Sequence, residues 1–160
     1  MTLRLTHTIP RLAAVLLLAL AAAGAGAADD PAPAKTDRLA AARDLIKASK
    51  WVDAIAELKQ LGDTGNADWN NLMGYSHRKA RTPDLAAAER YYDAALKIDP
   101  KHKGALEYSG ELFLMKGELA RAEDRLAALD KACFLPCDEF KDLKGAIERF
   151  KANGNRHVPK

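Results

Sequence analysis

Hydrophobic side chains recur at helical spacing along most of the chain. The three clearest sets are Leu39, Ala42, Leu45 and Ile46; then Trp51, Ala54, Ile55, Leu58 and Leu61; and then Phe140, Leu143, Ile147 and Phe150. Spacings of three and four residues place such side chains on one face of an α-helix. No stretch alternates with the period of two that a half-buried strand would show. The pattern therefore predicts an all-α fold.

The first 27 residues follow a different pattern. Arg4 and Arg11 precede an apolar run, LAAVLLLALAAA, and small residues follow it. A run of about a dozen residues suits a secretory signal and falls short of the roughly 20 that span a bilayer. Ala25-Gly26-Ala27 fits an A-x-A cleavage site. We therefore expect a signal peptide over 1–27, cleavage before Ala28, export to a bacterial periplasm and no membrane span afterwards; an uncleaved anchor is the alternative.

The charge balance changes little in this interpretation. The chain has 25 Lys and Arg against 22 Asp and Glu, and the predicted signal peptide removes two arginines and no acid. A nearly neutral exported chain has no long-range field for collecting nucleic acid, so we expect none as a partner. Residues 28–37, ADDPAPAKTD, are polar and proline-rich and are predicted to form a flexible linker.

Helix-breaking residues divide the remaining chain at regular intervals. Pro100 and Gly117 are expected to end helices, since proline lacks an N–H and glycine tolerates a left-handed turn. Thr82 and Pro83 are expected to start another helix, as its N-cap and first residue. Small residues, among them Gly110, are expected to let paired helices approach closely.

Small and apolar residues also repeat with a period of 34 residues, as Ala88 and Ala122 illustrate. The matching positions are Ala42, Ala54, Leu58 and Leu61 in residues 38–66; Gly74, Ala88, Tyr92, Ala95 and Pro100 in residues 67–102; and Gly110, Gly117, Ala122 and Leu126 in residues 103–136. In these positions the chain resembles the tetratricopeptide repeat (TPR) family, although Leu129 replaces an expected alanine. The resemblance implies a right-handed α-solenoid of about three helix pairs over 38–152. A capping helix over 138–152 would cover its last apolar face, and a disordered tail over 153–160 would follow.

The resemblance implies a protein–protein interaction module or assembly scaffold that binds a peptide or protein segment in a concave groove. The first helix of each pair would line that groove. The family's groove positions give these candidate partner-binding residues: Arg43, Lys47, Asn71, Tyr75, Arg78, Lys79, Glu107 and Glu111. Gly104 and Tyr108 interrupt the Lys/Asn/Arg set of family members that clamp a C-terminal carboxylate, so no such clamp is expected. The alternative for each candidate is ordinary exposed helix surface.

The two cysteines are Cys133, predicted at the end of the second helix of the last repeat, and Cys137, predicted at the start of the capping helix. In an oxidising compartment two nearby thiols are normally joined, which favours a structural disulfide. Two alternatives stay open: a soft Cu(I) site held by thiolates, and a redox dithiol. Either would make the protein a periplasmic thiol-redox or copper-handling accessory factor. Covalent haem attachment is excluded, because Asp138 stands where a histidine would follow Cys137.

No other pattern indicates chemistry. The sequence holds no nucleophile–base constellation, phosphate loop, H-E-x-x-H motif or calcium loop. His77, His102 and His157 show no ligand spacing, and we expect the first to be a packing residue and the other two to be solvated. We therefore expect a non-enzymatic protein without catalytic residues, metal site or cofactor.

Overall fold

Seven α-helices make up the part of the chain that the computed structural model describes, residues 37–157. Their bounds are α1 Ala40–Lys47, α2 Trp51–Leu61, α3 Ala67–Lys79, α4 Leu85–Ile98, α5 Lys103–Met115, α6 Leu119–Ala132 and α7 Asp138–Ala152. No strand occurs within these residues, which confirms the prediction of an all-α fold there. The predicted signal peptide, its cleavage site and all but the last residue of the predicted linker lie outside the described residues.

Three of the helices begin at a side chain that accepts a backbone hydrogen bond. Asn66 caps α3 by accepting from the Trp69 N–H, and Asp84 caps α4 by accepting from the Ala87 N–H at 2.8 Å. The expectation of Thr82 as the cap of α4 is therefore wrong, because the aspartate two residues later supplies a stronger acceptor. His102 caps α5 through its Nδ1, so it is not the solvated residue that the sequence suggested.

The helices pack in consecutive pairs and also across alternate positions. Each helix contacts the next one along the chain, and α1 contacts α3, α3 contacts α5, and α5 contacts α7. Among the described helices, the backbones of α2 and α4 do not approach each other closely, and neither do those of α4 and α6, which are linked by side-chain ion pairs such as Arg121–Glu89 at 2.7 Å. The odd-numbered helices thus form a continuous layer, against which the even-numbered helices pack.

Two hydrophobic clusters fill the interior. The smaller one joins α1, α2 and α3 through Leu39, Ala42, Leu58, Trp69 and Met73. The larger one runs from α4 to α7; its bulkiest members are Tyr92, Phe113, Leu129, Leu143, Ile147 and Phe150. Helix α7 thus buries its apolar face against the preceding helices instead of leaving it exposed.

Two glycines permit close contacts between helices. A Cβ atom at Gly74 in α3 would lie 2.7 Å from Tyr92 of α4, and one at Gly110 in α5 would lie 2.5 Å from Leu143 of α7. Both positions therefore need a residue without a side chain. The helix that Gly110 admits is α7, not α6, so the expectation that it serves contact within the α5–α6 pair is wrong.

A disulfide joins the end of α6 to the start of α7. Cys133 and Cys137 have Cα atoms 5.9 Å apart, within the normal range for a bridge, so the predicted proximity of the two cysteines is confirmed. Phe134 and Leu135, in the loop that the bridge closes, project into solvent.

None of the helices within residues 37–157 combines the length and the apolar character needed to cross a membrane. The described residues after α7, 153–157, are exposed.

Candidate functional site

A row of three aromatic side chains connects three helices. Trp51 of α2 meets Tyr75 of α3 edge to face, with ring centroids 5.8 Å apart. Tyr75 in turn contacts Tyr108 of α5, with centroids 4.6 Å apart. All three side chains are partly exposed. The row therefore offers a surface of ring faces and edges whose positions are fixed by mutual contact.

The Arg78 side chain contacts the two tyrosines of this row. Its guanidinium carbon lies 5.4 Å from the ring centroid of Tyr75 and 5.5 Å from that of Tyr108. Its Nη1 forms an ion pair with Glu111 Oε2 at 2.9 Å, and the two side chains are only 6% and 13% exposed. We call Trp51, Tyr75, Arg78, Tyr108 and Glu111 the Arg78 cluster.

The electrostatics of the cluster follow from its burial. Burial disfavours the charge on Arg78, but neighbouring Tyr92 and Glu111 more than offset this and raise the pKa of the guanidinium. Burial, with nearby Glu107 adding to it, raises the pKa of Tyr108 to about 12. At neutral pH the cluster therefore holds a charged arginine beside a tyrosine hydroxyl that keeps its proton. It offers partly exposed aromatic rings held beside a buried charge pair.

A cavity of about 310 Å³ lies next to the Arg78–Glu111 pair. It is formed by α3, the turn that follows α3, α5 and α7, and the residue at position 157 also lines it. Leu114 and Met115 of α5 and Phe150 of α7 supply apolar wall, while Lys79 and Arg149 add basic groups. We refer to it as the α7 pocket.

The structure brings together some of the residues predicted from the sequence. Tyr75, Arg78 and Glu111 belong to the Arg78 cluster, and Lys79 lines the α7 pocket next to it. Glu107 is on α5 and only 6% exposed.

Other predicted residues have local roles. Asn71 is 7% exposed, and its amide group lies against Gly104. Arg43 bonds Asp37 at 2.6 Å and Asp68 at 3.2 Å, and thereby ties α1 to α3. Lys47 is exposed and pairs with a carboxylate on its own helix at 3.1 Å.

Several residues of the site were not selected from the sequence. Trp51 was assigned to an apolar stripe, whereas it starts α2 and faces Tyr75. Tyr108 was noted only as interrupting a carboxylate clamp. Arg149 and Phe150 were missed because α7 was expected only to cover the stack, whereas it also walls the pocket, and His157, beyond α7, was expected to be solvated. Helical spacing marks their faces but does not show which helix those faces meet.

No group of three or more His, Cys, Asp or Glu side chains within residues 37–157 could hold a metal ion. No protein-family model matches the chain, and no curated protein or solved structure matches it either. The resemblance to tetratricopeptide repeats therefore depends on the residues of this chain alone.

Proposed function

We propose that this chain is an exported, periplasmic protein of the tetratricopeptide type that binds a peptide or protein segment across the Arg78 cluster. In this proposal the three helix pairs α1–α2, α3–α4 and α5–α6 form a right-handed solenoid, α7 caps it, and the odd-numbered helices line its concave side. The protein acts as a binding module or assembly scaffold, not as an enzyme.

The observation that carries the proposal is the partly exposed aromatic row held on a buried ion pair. Tyrosine, tryptophan and arginine are the residues that most often anchor protein interfaces. Here the contacts with Arg78 hold Tyr75 and Tyr108 in place before any partner arrives. Such preorganisation lowers the entropic cost of binding.

The same geometry divides the candidates into two roles. Tyr75 and Trp51 are accessible and can contact a ligand directly. Arg78 is 6% exposed, so it positions the accessible rings instead of touching a partner over much area, and Glu107 is equally buried. A test of binding should therefore change the rings and leave the ion pair intact.

Selection from a random peptide library displayed on phage, with the purified protein as bait, would provide the probe. We expect Tyr75→Ala to weaken the selected peptides at least about tenfold, since losing an interface anchor costs about 2 kcal/mol or more. Phe134→Ala is the matched control, because it removes an equally large aromatic side chain that is exposed on another part of the molecule. Selected peptides that bind the Tyr75 variant as tightly as the wild type would refute the proposal.

A further inference from the structure

The α7 pocket has an apolar interior. Met115, Ala146, Ala80 and Pro83 supply the accessible apolar part of the lining, and Leu114 and Phe150 lie behind them, each only 2% exposed. The cavity volume of about 310 Å³ lies at the small end of the range for small-molecule sites, about 300–1,000 Å³. Because three helices and a turn enclose the cavity, it suits a small ligand with an apolar group better than it suits the flat surface of another protein.

The charges around this interior do not cancel. Arg78 is neutralised by Glu111 at 2.9 Å. Lys79 and Arg149 are both exposed, and within residues 37–157 neither makes an ion pair. Partial burial of the His157 ring in the pocket wall, and then the nearby Arg78 charge, lower the pKa of this otherwise exposed residue, so it is neutral at slightly alkaline pH and the surplus charge then belongs to Lys79 and Arg149. The pocket thus joins an apolar cavity to two cations.

We propose that the α7 pocket binds a small monocarboxylate with an apolar chain, with the chain against Met115, Ala146 and Pro83 and the carboxylate between Lys79 and Arg149. A guanidinium can grip a carboxylate with two parallel hydrogen bonds, and a lysine adds a further cation. The site does not depend on the proposed peptide binding, because the ligand needs neither Tyr75 nor a second protein.

Three probes that share one alkyl chain test the chemistry: decanoate, decan-1-ol and decyltrimethylammonium. Titration calorimetry with the purified protein at pH 8 should show decanoate binding at least about tenfold more tightly than the other two, or about 1.4 kcal/mol. Equal affinity for decanoate and decan-1-ol would overturn the role given to the two cations. Absence of decanoate binding at millimolar concentration would overturn the site itself.

Charge-reversal variants test where the carboxylate of the ligand binds. Lys79→Glu with Arg149→Glu should weaken decanoate at least about tenfold and strengthen decyltrimethylammonium, since both changes lie at exposed positions of the pocket. Lys59→Glu with Lys144→Glu makes the same change in net charge at exposed positions outside the pocket and should leave both affinities unchanged. Equal losses in the two double variants would contradict a local site.

A cavity-filling variant tests where the alkyl chain of the ligand binds. Ala146→Phe adds a ring to the pocket wall and should abolish decanoate binding, while circular dichroism checks that the variant melts cooperatively. Decanoate binding at wild-type strength by a folded Ala146→Phe variant would overturn the proposal. Peptides selected for the aromatic row report on Tyr75 separately, so the two proposals can fail independently.

Discussion

Two charged groups of this molecule use the same kinds of residue in opposite settings. In the Arg78 cluster, one arginine and one glutamate pair at 2.9 Å inside the helix layer, 6% and 13% exposed. The second group joins α4 to the start of α6 through Glu89, Lys116, Glu118 and Arg121, and we call it the Glu89 network. Its four ion pairs are 2.7 to 2.9 Å long, and its side chains are 20% to 44% exposed.

This difference indicates which of the two groups, the Arg78 cluster or the Glu89 network, has only a stabilising role. Exposed ion pairs contribute little to stability. The Glu89 network lies at the surface over Phe113, whose ring centroid is 3.8 Å from the guanidinium carbon of Arg121. A buried pair carries a desolvation cost that apolar residues of similar size would avoid. Arg78 and Glu111 lie where they hold two partly exposed tyrosines in place. For this reason we propose the binding role for that cluster.

The largest effect should come from breaking the buried pair. Arg78→Ala removes the guanidinium from a buried ion pair with Glu111 and should lower the free energy of unfolding by about 3–5 kcal/mol. The double replacement Arg78→Met with Glu111→Met removes both charges at similar volume and should cost far less. Urea unfolding of the three proteins measures this. A double variant as unstable as Arg78→Ala would show that packing, and not a buried charge that has lost this ion pair, dominates at this site.

An intermediate effect is expected for the disulfide. Cys133→Ser with Cys137→Ser should cost about 2 kcal/mol, because the bridge closes a short loop in the unfolded chain. Helix α7 should stay in place, since Leu143, Ile147 and Phe150 remain buried. Thermal unfolding gives the cost, and a thiol label with and without reductant shows whether the wild-type cysteines are bridged. Labelling without reductant would instead favour the thiol-redox or copper-handling alternative.

A smaller effect is expected in the Glu89 network. Glu89→Ala removes ion pairs to Lys116 and Arg121, and exposed pairs contribute about 0.2–1 kcal/mol each. The wild-type contribution should decline in 1 M NaCl, because salt screens exposed charges. The salt dependence of urea unfolding tests this. A loss as large as that of Arg78→Ala would remove the contrast between the two groups.

The smallest effect is a pH dependence of the same network. Hydrogen bonds from Lys116, and then from Arg121, hold the pKa of Glu89 below its ordinary value of 4.5, and Lys116 does the same for Glu118. A lowered folded-state pKa stabilises the fold above pH 4.5, and this contribution is lost as the pH falls through the folded-state value. Glu89→Gln should therefore flatten the decline in stability below pH 4.5. An unchanged slope would show that other carboxylates control it.

The helical fold could be predicted because it depends on local pattern. Apolar spacing in segments such as Phe140 to Phe150 identifies a helix without any knowledge of its neighbours. The turn before α4 was predicted less well, because Thr82 and Asp84 are both good caps and only the folded chain selects between them. The contact of Gly110 with Leu143 was missed for a related reason, since spacing within α5 does not reveal which helix approaches it.

The candidate site was predictable only in part. Tyr75, Arg78, Lys79 and Glu111 were implied by the resemblance to tetratricopeptide repeats, and the structure places them near one another. The burial of Arg78 could not be derived from the sequence, because it results from Glu111 and Tyr108 of α5 meeting it across helices. The pocket requires α7 to lie beside α3 and α5, which is a tertiary property that no single stretch of the chain encodes.

The central claim is that a peptide binds across the aromatic row, and photo-crosslinking tests it most directly. The photoreactive residue p-benzoylphenylalanine would replace Tyr75 in one protein and Phe134 in another, and each would be irradiated with the peptides selected from the library. Binding across the aromatic row predicts that the peptide crosslinks to position 75 and does not crosslink to position 134. Crosslinking from position 134 alone would contradict it.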